Sequence, residues 1–135
     1  MAYEEILQSI TLDADASLGI YTGVAGMRGG PANNSGLQYR FVKITGEHTC
    51  GLVAAATDAV VGVLQNKPQQ AGDVATVGLN GISRVEVAGA IAAGAPVFSD
   101  ATGRATATGT GSALGYAIHS SAAAGELLPV LLRLK

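Results

Sequence analysis

The sequence predicts an all-β fold: a small single-domain β-barrel or sandwich with a pseudo-repeated strand-turn-strand unit and an extended N-terminal arm. Three observations point there. Apolar and polar residues alternate through most of the 135-residue chain. Turn residues interrupt the alternation about every 8–12 positions, the spacing of short strands joined by tight turns. The apolar share is 48%, yet only 4% of residues are aromatic and Trp is absent. The core must therefore be built from Ala, Val, Leu and Ile, which let backbones approach closely. A chain of this size makes one domain with a thin core, and association with other copies would help stabilise it.

The elements follow in order. Residues 5–12 (EILQSITL) read as a strand behind a short arm. Residues 19–36 are rich in Gly, hold Pro31 and two Asn, and lack sustained periodicity, so they read as a long surface loop. Arm and loop, residues 1–36, belong to the same domain as a barrel core at 37–135. Residues 37–45, 60–64, 95–99, 104–108 and 113–118 read as strands, with a turn at 100–104. The clearest pattern is DVATVGLNGISRVEVA. Asn80-Gly81 favours a type I′ hairpin turn, with Ala75, Val77 and Leu79 on one face before it and Val85 and Val87 after it. A strict two-residue turn sets Val77 opposite Arg84 and mixes the faces, so the hairpin needs a bulge or a longer turn.

In the terminal ELLPVLLRL, Leu128, Val130, Leu132 and Leu134 share a face and Pro129 lies on the other. Proline cannot donate to a ladder, which predicts an edge or a bulge for this strand. An open apolar edge invites aggregation, so a neighbouring subunit is predicted to cover it. Pro129, Leu131 and Arg133 are the candidate subunit-interface residues.

One phrase occurs twice. GVLQNKPQQAGDVATVGL begins at Gly62 and GYAIHSSAAAGELLPVLL at Gly115, an offset of 53 that also pairs Gly72 with Gly125, Asp73 with Glu126 and Val77 with Val130. Each copy reads as a strand, a connection, an Ala-Gly-acid turn and a second strand in the same register. IAAGAPV, residues 91–97, is a weaker cousin without the acid.

Chemistry is sparse. The net charge is −2 and Lys and Arg are scattered singly, so the clustered cations that release phosphate counterions are missing and direct nucleic-acid contact is not expected. No apolar run is long enough to span a bilayer as a helix. The first ten residues carry two acids where a signal peptide carries cations, which points to a cytoplasm-like compartment. A single cysteine, Cys50, excludes an internal disulfide and reads as a small buried or half-buried residue. His48 and Cys50 alternate onto one strand face, but two ligands do not make a metal site. Asp13 and Asp15 read as turn residues rather than cation ligands. GTGSALG, residues 109–115, lacks the spacing of a dinucleotide loop and reads as a turn. Ser83 and Ser112 lack a nucleophile elbow. No cofactor is implied.

From GVLQNKP and AGD through IAAGAPV and DATGRA to ALGYAI and AAAGELLPVLL, the chain resembles tailed-phage head decoration proteins, also called capsid cement proteins, of the small β-barrel kind. The resemblance covers residues 50–135 and extends to the opening MAYEEILQSITLDADASL. It implies a non-enzymatic virion protein made in the host cytoplasm, carried on the outer surface of the expanded capsid, partnered by the major capsid protein and by itself as a homotrimer. Capsid contact is then expected from the arm, through Tyr3, Glu4, Glu5 and Ile6, and from the loop, through Met27 and Arg28. Residues 1–10 would be the docking arm, adding a strand to the capsid or a neighbour. Two other readings stay open. A glycan-binding head-fibre or adhesion module would stack sugars on Tyr3, Tyr21, Tyr39, Tyr116, Phe41 or Phe98. A trimeric β-barrel hydrolase would gather Asp73, Glu86, Asp100 and Glu126 at subunit boundaries.

Overall fold

The computed structural model describes residues 7–18 and 37–133. Among these residues nine strands form one sheet: β1 (Gln8–Ala14), β2 (Phe41–Gly46), β3 (Thr49–Leu52), β4 (Gly62–Leu64), β5 (Val74–Glu86), β6 (Pro96–Ser99), β7 (Ala105–Thr106), β8 (Gly115–Ala117) and β9 (Leu127–Arg133). Their order is β1-β3-β2-β4-β5-β9-β8-β6-β7, and β1 also pairs with β5, which closes the first five strands into a barrel. A single 3₁₀ turn, Ala16–Leu18, follows β1. The all-β expectation holds. The predicted 19–36 loop lies outside the described residues.

Asn80-Gly81 does not turn a hairpin. It lies inside β5, a strand of 13 residues whose first half pairs with β1 and β4 and whose second half pairs with β9. The physical reason is parity. Ala75, Val77, Ser83, Val85 and Val87 are all odd-numbered and all buried, so a continuous strand keeps every one of them inward. A two-residue hairpin opposes odd to even positions. Gly81 takes a positive φ of 116°, a local irregularity that only glycine accepts readily, and the strand runs on.

The repeated phrase is structurally real and larger than the sequence suggests. Val63 pairs with Gly78 and Leu64 with Val77; at the same offset Tyr116 pairs with Leu131 and Ala117 with Val130. The turn acids act alike. Asp73 accepts the N–H groups of Gln69 and Gln70, and Glu126 those of Ala122 and Ala123. Gly72 and Gly125 take φ of 93° and 92°. The correspondence continues through β2 and β6, where Phe41↔Val63 matches Pro96↔Tyr116, and through β3 and β7, where Ile44↔Cys50 matches Ser99↔Ala105. It ends at β1 and the second half of β5, where Leu12↔Ala75 matches Val85↔Leu128. A parallel bridge from Val87 to Ala105 joins β7 back to the end of β5, as Ala14 joins Cys50 in β3. The molecule is thus two equivalent five-stranded rings that share β5.

Each ring has its own core: Leu12, Ala14, Val42, Cys50 and Val77 in the first, and their equivalents Val85, Val87, Val97, Ala105 and Val130 in the second. Phe41 of β2, Val63 of β4 and Val53, just past β3, come from the first ring but pack into the second core. Tyr39 ties the rings by backbone. Its N–H donates to the Leu64 carbonyl and its carbonyl accepts the Glu86 N–H, holding it at φ 68°. The rings are one packed body.

The terminal strand is not an edge. β9 lies between β5 and β8, and Pro129 is tolerated because in an antiparallel strand a residue's N and O point to the same neighbour. The Pro129 carbonyl accepts the Ile118 N–H at 3.0 Å, so its nitrogen faces β8 and the β5 ladder loses nothing. The one bond it cannot return falls just past the last residue of β8, beside exposed Ile118. Other bounds differ by a few residues, and β3 begins at Thr49, after His48. Consecutive burial of Cys50 and Gly51 obscures its alternation.

Two outcomes follow from these contacts. Phe41→Ala, which empties a fully buried site between the rings, should cost about 3–5 kcal/mol and lower the single unfolding transition of both rings in urea; two separate transitions would contradict the shared core. Asp58 accepts hydrogen bonds from Lys43 Nζ and from the N–H groups of Ala54 and Ala55, and the Lys43 bond is the main cause holding its pKa below the ordinary carboxylate value. Its contribution is therefore present above the unfolded-state pKa and lost as pH falls through the folded one. Melting temperatures of wild type and Asp58→Asn should differ at neutral pH and converge in acid.

Candidate functional site

Strand parity places the outward side chains of the second ring in rows that cross several strands. Cα partners give the row Ile82, Leu131, Tyr116 and Pro96 across β5, β9, β8 and β6. Beside it run Arg84 and Pro129, with Ile118 bonded to the latter. Leu127 at 45%, Leu131 at 37%, Tyr116 at 46% and Ile118 at 40% are all substantially exposed. Scattered exposed aliphatics are ordinary, whereas a contiguous set on one sheet face marks an interaction surface. A crevice of about 420 Å³ opens at its border, lined by Leu7, Tyr39, Gln65, Ile82, Ser83, Arg84 and Pro129.

Pro129, Leu131 and Arg133, nominated from sequence, do share this outward face. Tyr116, Ile118 and Ile82 belong to it as well, and sequence reasoning missed them, because only the β5-β9-β8 order brings them beside β9. Tyr3, Glu4, Glu5, Ile6, Met27 and Arg28 lie outside the described residues.

The candidate acids are occupied by structure. Asp73 and Glu126 cap equivalent turns. Asp100 Oδ1 accepts the N–H groups of Thr102 and Arg104, forming the predicted turn. Glu86 lies 3.2 Å from Arg40 and 3.7 Å from Arg104, while Asp100 reaches Arg104 at 3.9 Å. This ion cluster spans the two rings, since Arg40 enters β2 and the 100–104 turn belongs to the second ring. Gly103 adds a backbone tie by accepting the Phe41 N–H. Asp15 caps the 3₁₀ turn by accepting the Ser17 N–H. Ser83 is buried, accepting from Gln65 and donating to the Arg84 carbonyl.

His48 and Cys50 do not share a face. His48 sits in the β2–β3 turn at φ 53° with an exposed side chain, whereas Cys50 is fully buried. Cys50 occupies the position that Ala105 fills in the second ring, as expected of a small core residue. Burial pushes its thiol up to about 11, with the charges of Asp15 and Asp13 acting in the same direction. Among the described residues no group of three or more His, Cys, Asp or Glu is placed to hold a metal ion. Of the aromatics nominated for sugar stacking, Phe41 is buried, Tyr39 and Phe98 are half-buried and Tyr116 is exposed; Tyr3 and Tyr21 lie outside the described residues.

Among the described residues, fold and surface together define an all-β module with an exposed apolar sheet face. The sequence profile of a family described as phage cement protein matches residues 38–134, and the chain belongs to that family. It is thus a capsid-associated structural protein of phage. The fold is similar to that in a crystal structure of the head fiber gp8.5 N base in bacteriophage phi29, with TM-score 0.58, 14% identity and 95% of each chain covered. Comparison with curated protein sequences gave no match.

The buried, raised thiol of Cys50 carries an expected outcome. In native buffer at pH 8 a thiol reagent should modify it at least ~100-fold more slowly than in denaturant, because the thiolate is the reacting form and the site is closed. Equal rates would show an open first ring.

Proposed function

We propose that the chain is a decoration protein that binds the exterior of the expanded phage capsid and bridges neighbouring capsomers of the major capsid protein, stabilising the DNA-filled head. Membership of the phage cement protein family is the observation that carries this reading. The physical features agree with it. The two rings share a strand, and Phe41, Val53 and Val63 of the first pack into the core of the second, so the module transmits load between its contacts rather than hinging. A low net charge without basic clusters suits a place outside the shell. Each copy contributes a modest contact, and many copies engaged on one shell add through effective concentration. A ligand that binds only the expanded lattice stabilises that state by mass action.

In this reading the arm residues Tyr3, Glu4, Glu5 and Ile6, with Met27 and Arg28 of the loop, face the capsid. The Pro129–Leu131–Arg133 face then joins copies into a homotrimer. The folded structure changes where the arm can be cut. Gln8, Ser9 and Ile10 pair with β5 and help close the first ring, so removal of residues 1–10 damages the barrel. Removal of residues 2–6 leaves β1 whole.

Co-sedimentation with purified heads tests this. The chain should bind expanded heads saturably, fail to bind unexpanded ones, and raise the temperature at which loaded heads release DNA. Loss of binding on deletion of residues 2–6, with an unchanged melting temperature, assigns the contact to the arm. Equal binding to both head forms, or to neither, overturns the proposal.

A further inference from the structure

The duplication provides an internal control for the open face. The first-ring equivalent of Leu131 is Gly78, which is buried. A Cβ there would meet the Leu7 side chain at 3.0 Å and the Gln65 amide at 2.9 Å. The chain thus covers this surface itself in the first ring and leaves it open in the second. The open surface has a definite chemistry. Its apolar row of Ile82, Leu131 and Tyr116 is flanked by two exposed cations, Arg84 and Arg133, and among the described residues neither has an ion-pair partner.

The complementary chemistry occurs at one rim of the first ring. Val74 is 55% exposed and is the Cα partner of Asp13, which in turn pairs with Thr49 at the end of the β2–β3 turn. That turn carries exposed Glu47, and Ile44 next to it is 51% exposed. Among the described residues the ion-pair partner of Asp13 is His48, at 3.9 Å. This rim is apolar and acidic, whereas the second-ring face is apolar and basic.

We propose that these two surfaces bind each other between copies of the chain. The Ile82–Leu131–Tyr116 face of one copy seats the Asp13–Glu47–Val74 rim of the next, with Arg84 and Arg133 meeting the two carboxylates. Because the surfaces differ, the interface is head-to-tail, which builds a closed ring or an open filament rather than a two-fold dimer. The inference deepens the self-association in the functional reading, yet its test contains no capsid. A monomeric chain would overturn it and leave the capsid role to the co-sedimentation test.

Sedimentation velocity on four proteins decides the matter: wild type, Arg84→Glu/Arg133→Glu, Asp13→Arg/Glu47→Arg, and the chain with all four reversals. Wild type should associate, and more weakly in high salt. Each double reversal should weaken association at least ~10-fold, since like charges then oppose across the interface. The fourfold variant, with its charges exchanged rather than matched, should associate again. Circular dichroism should be the same for all four, and so should the melting temperature at a concentration where wild type is dissociated; a variant that fails this check is replaced by Leu131→Ser, which should also weaken association. A monomeric wild type, reversals without effect, or a fourfold variant that stays dissociated would each overturn the head-to-tail pairing.

Discussion

Strand β5 supplies a wall to two barrels at once. Its first half closes the first ring against β1 and β4, and its second half carries β9 and thereby the second ring. Every other long-range feature hangs on that continuity: the equivalence of the cores, the central place of β9 and the direction in which its odd residues point. What permits it is side-chain parity unbroken across Asn80-Gly81 and a glycine at the one position where φ turns positive. A side chain with Cβ at Gly81 would strain the strand where the two rings separate.

Duplication economises on long-range information. Turn acid, turn glycine and strand register recur at matching positions, so the same local physics builds each ring. The copies diverge where they meet each other and where they meet the outside. Phe41 fills the second core from the first ring, while its equivalent, Pro96, lies exposed on the outer row. Gly78 is covered by the chain and Leu131 is bare. Divergence between equivalent positions therefore separates structural residues from surface residues in a single chain, much as a family comparison would.

The ion cluster of Arg40, Glu86, Arg104 and Asp100 adds orientation at the ring junction rather than much net stability. Its side chains are partly exposed, and such pairs contribute modestly once desolvation and side-chain ordering are counted. Apolar burial around Phe41 supplies the adhesion. The cluster and the Tyr39 backbone bonds hold the rings in one relative orientation.

The sequence by itself determined which residues alternate, where the two Ala-Gly-acid turns fall, the repeat at offset 53, the buried role of Cys50 and the outward set Pro129, Leu131 and Arg133. Each of these is local, settled by φ, by hydrogen bonds within a few residues or by the two-residue period of a strand. Only the tertiary structure decided that β5 continues through Asn80-Gly81, that β9 is flanked on both sides, and that Tyr116, Ile118 and Ile82 complete the open face. Those facts depend on which ladder each strand edge joins. An edge is identical in local pattern whether its partner is solvent, a neighbouring strand or another copy, because every backbone offers the same N–H and C=O groups.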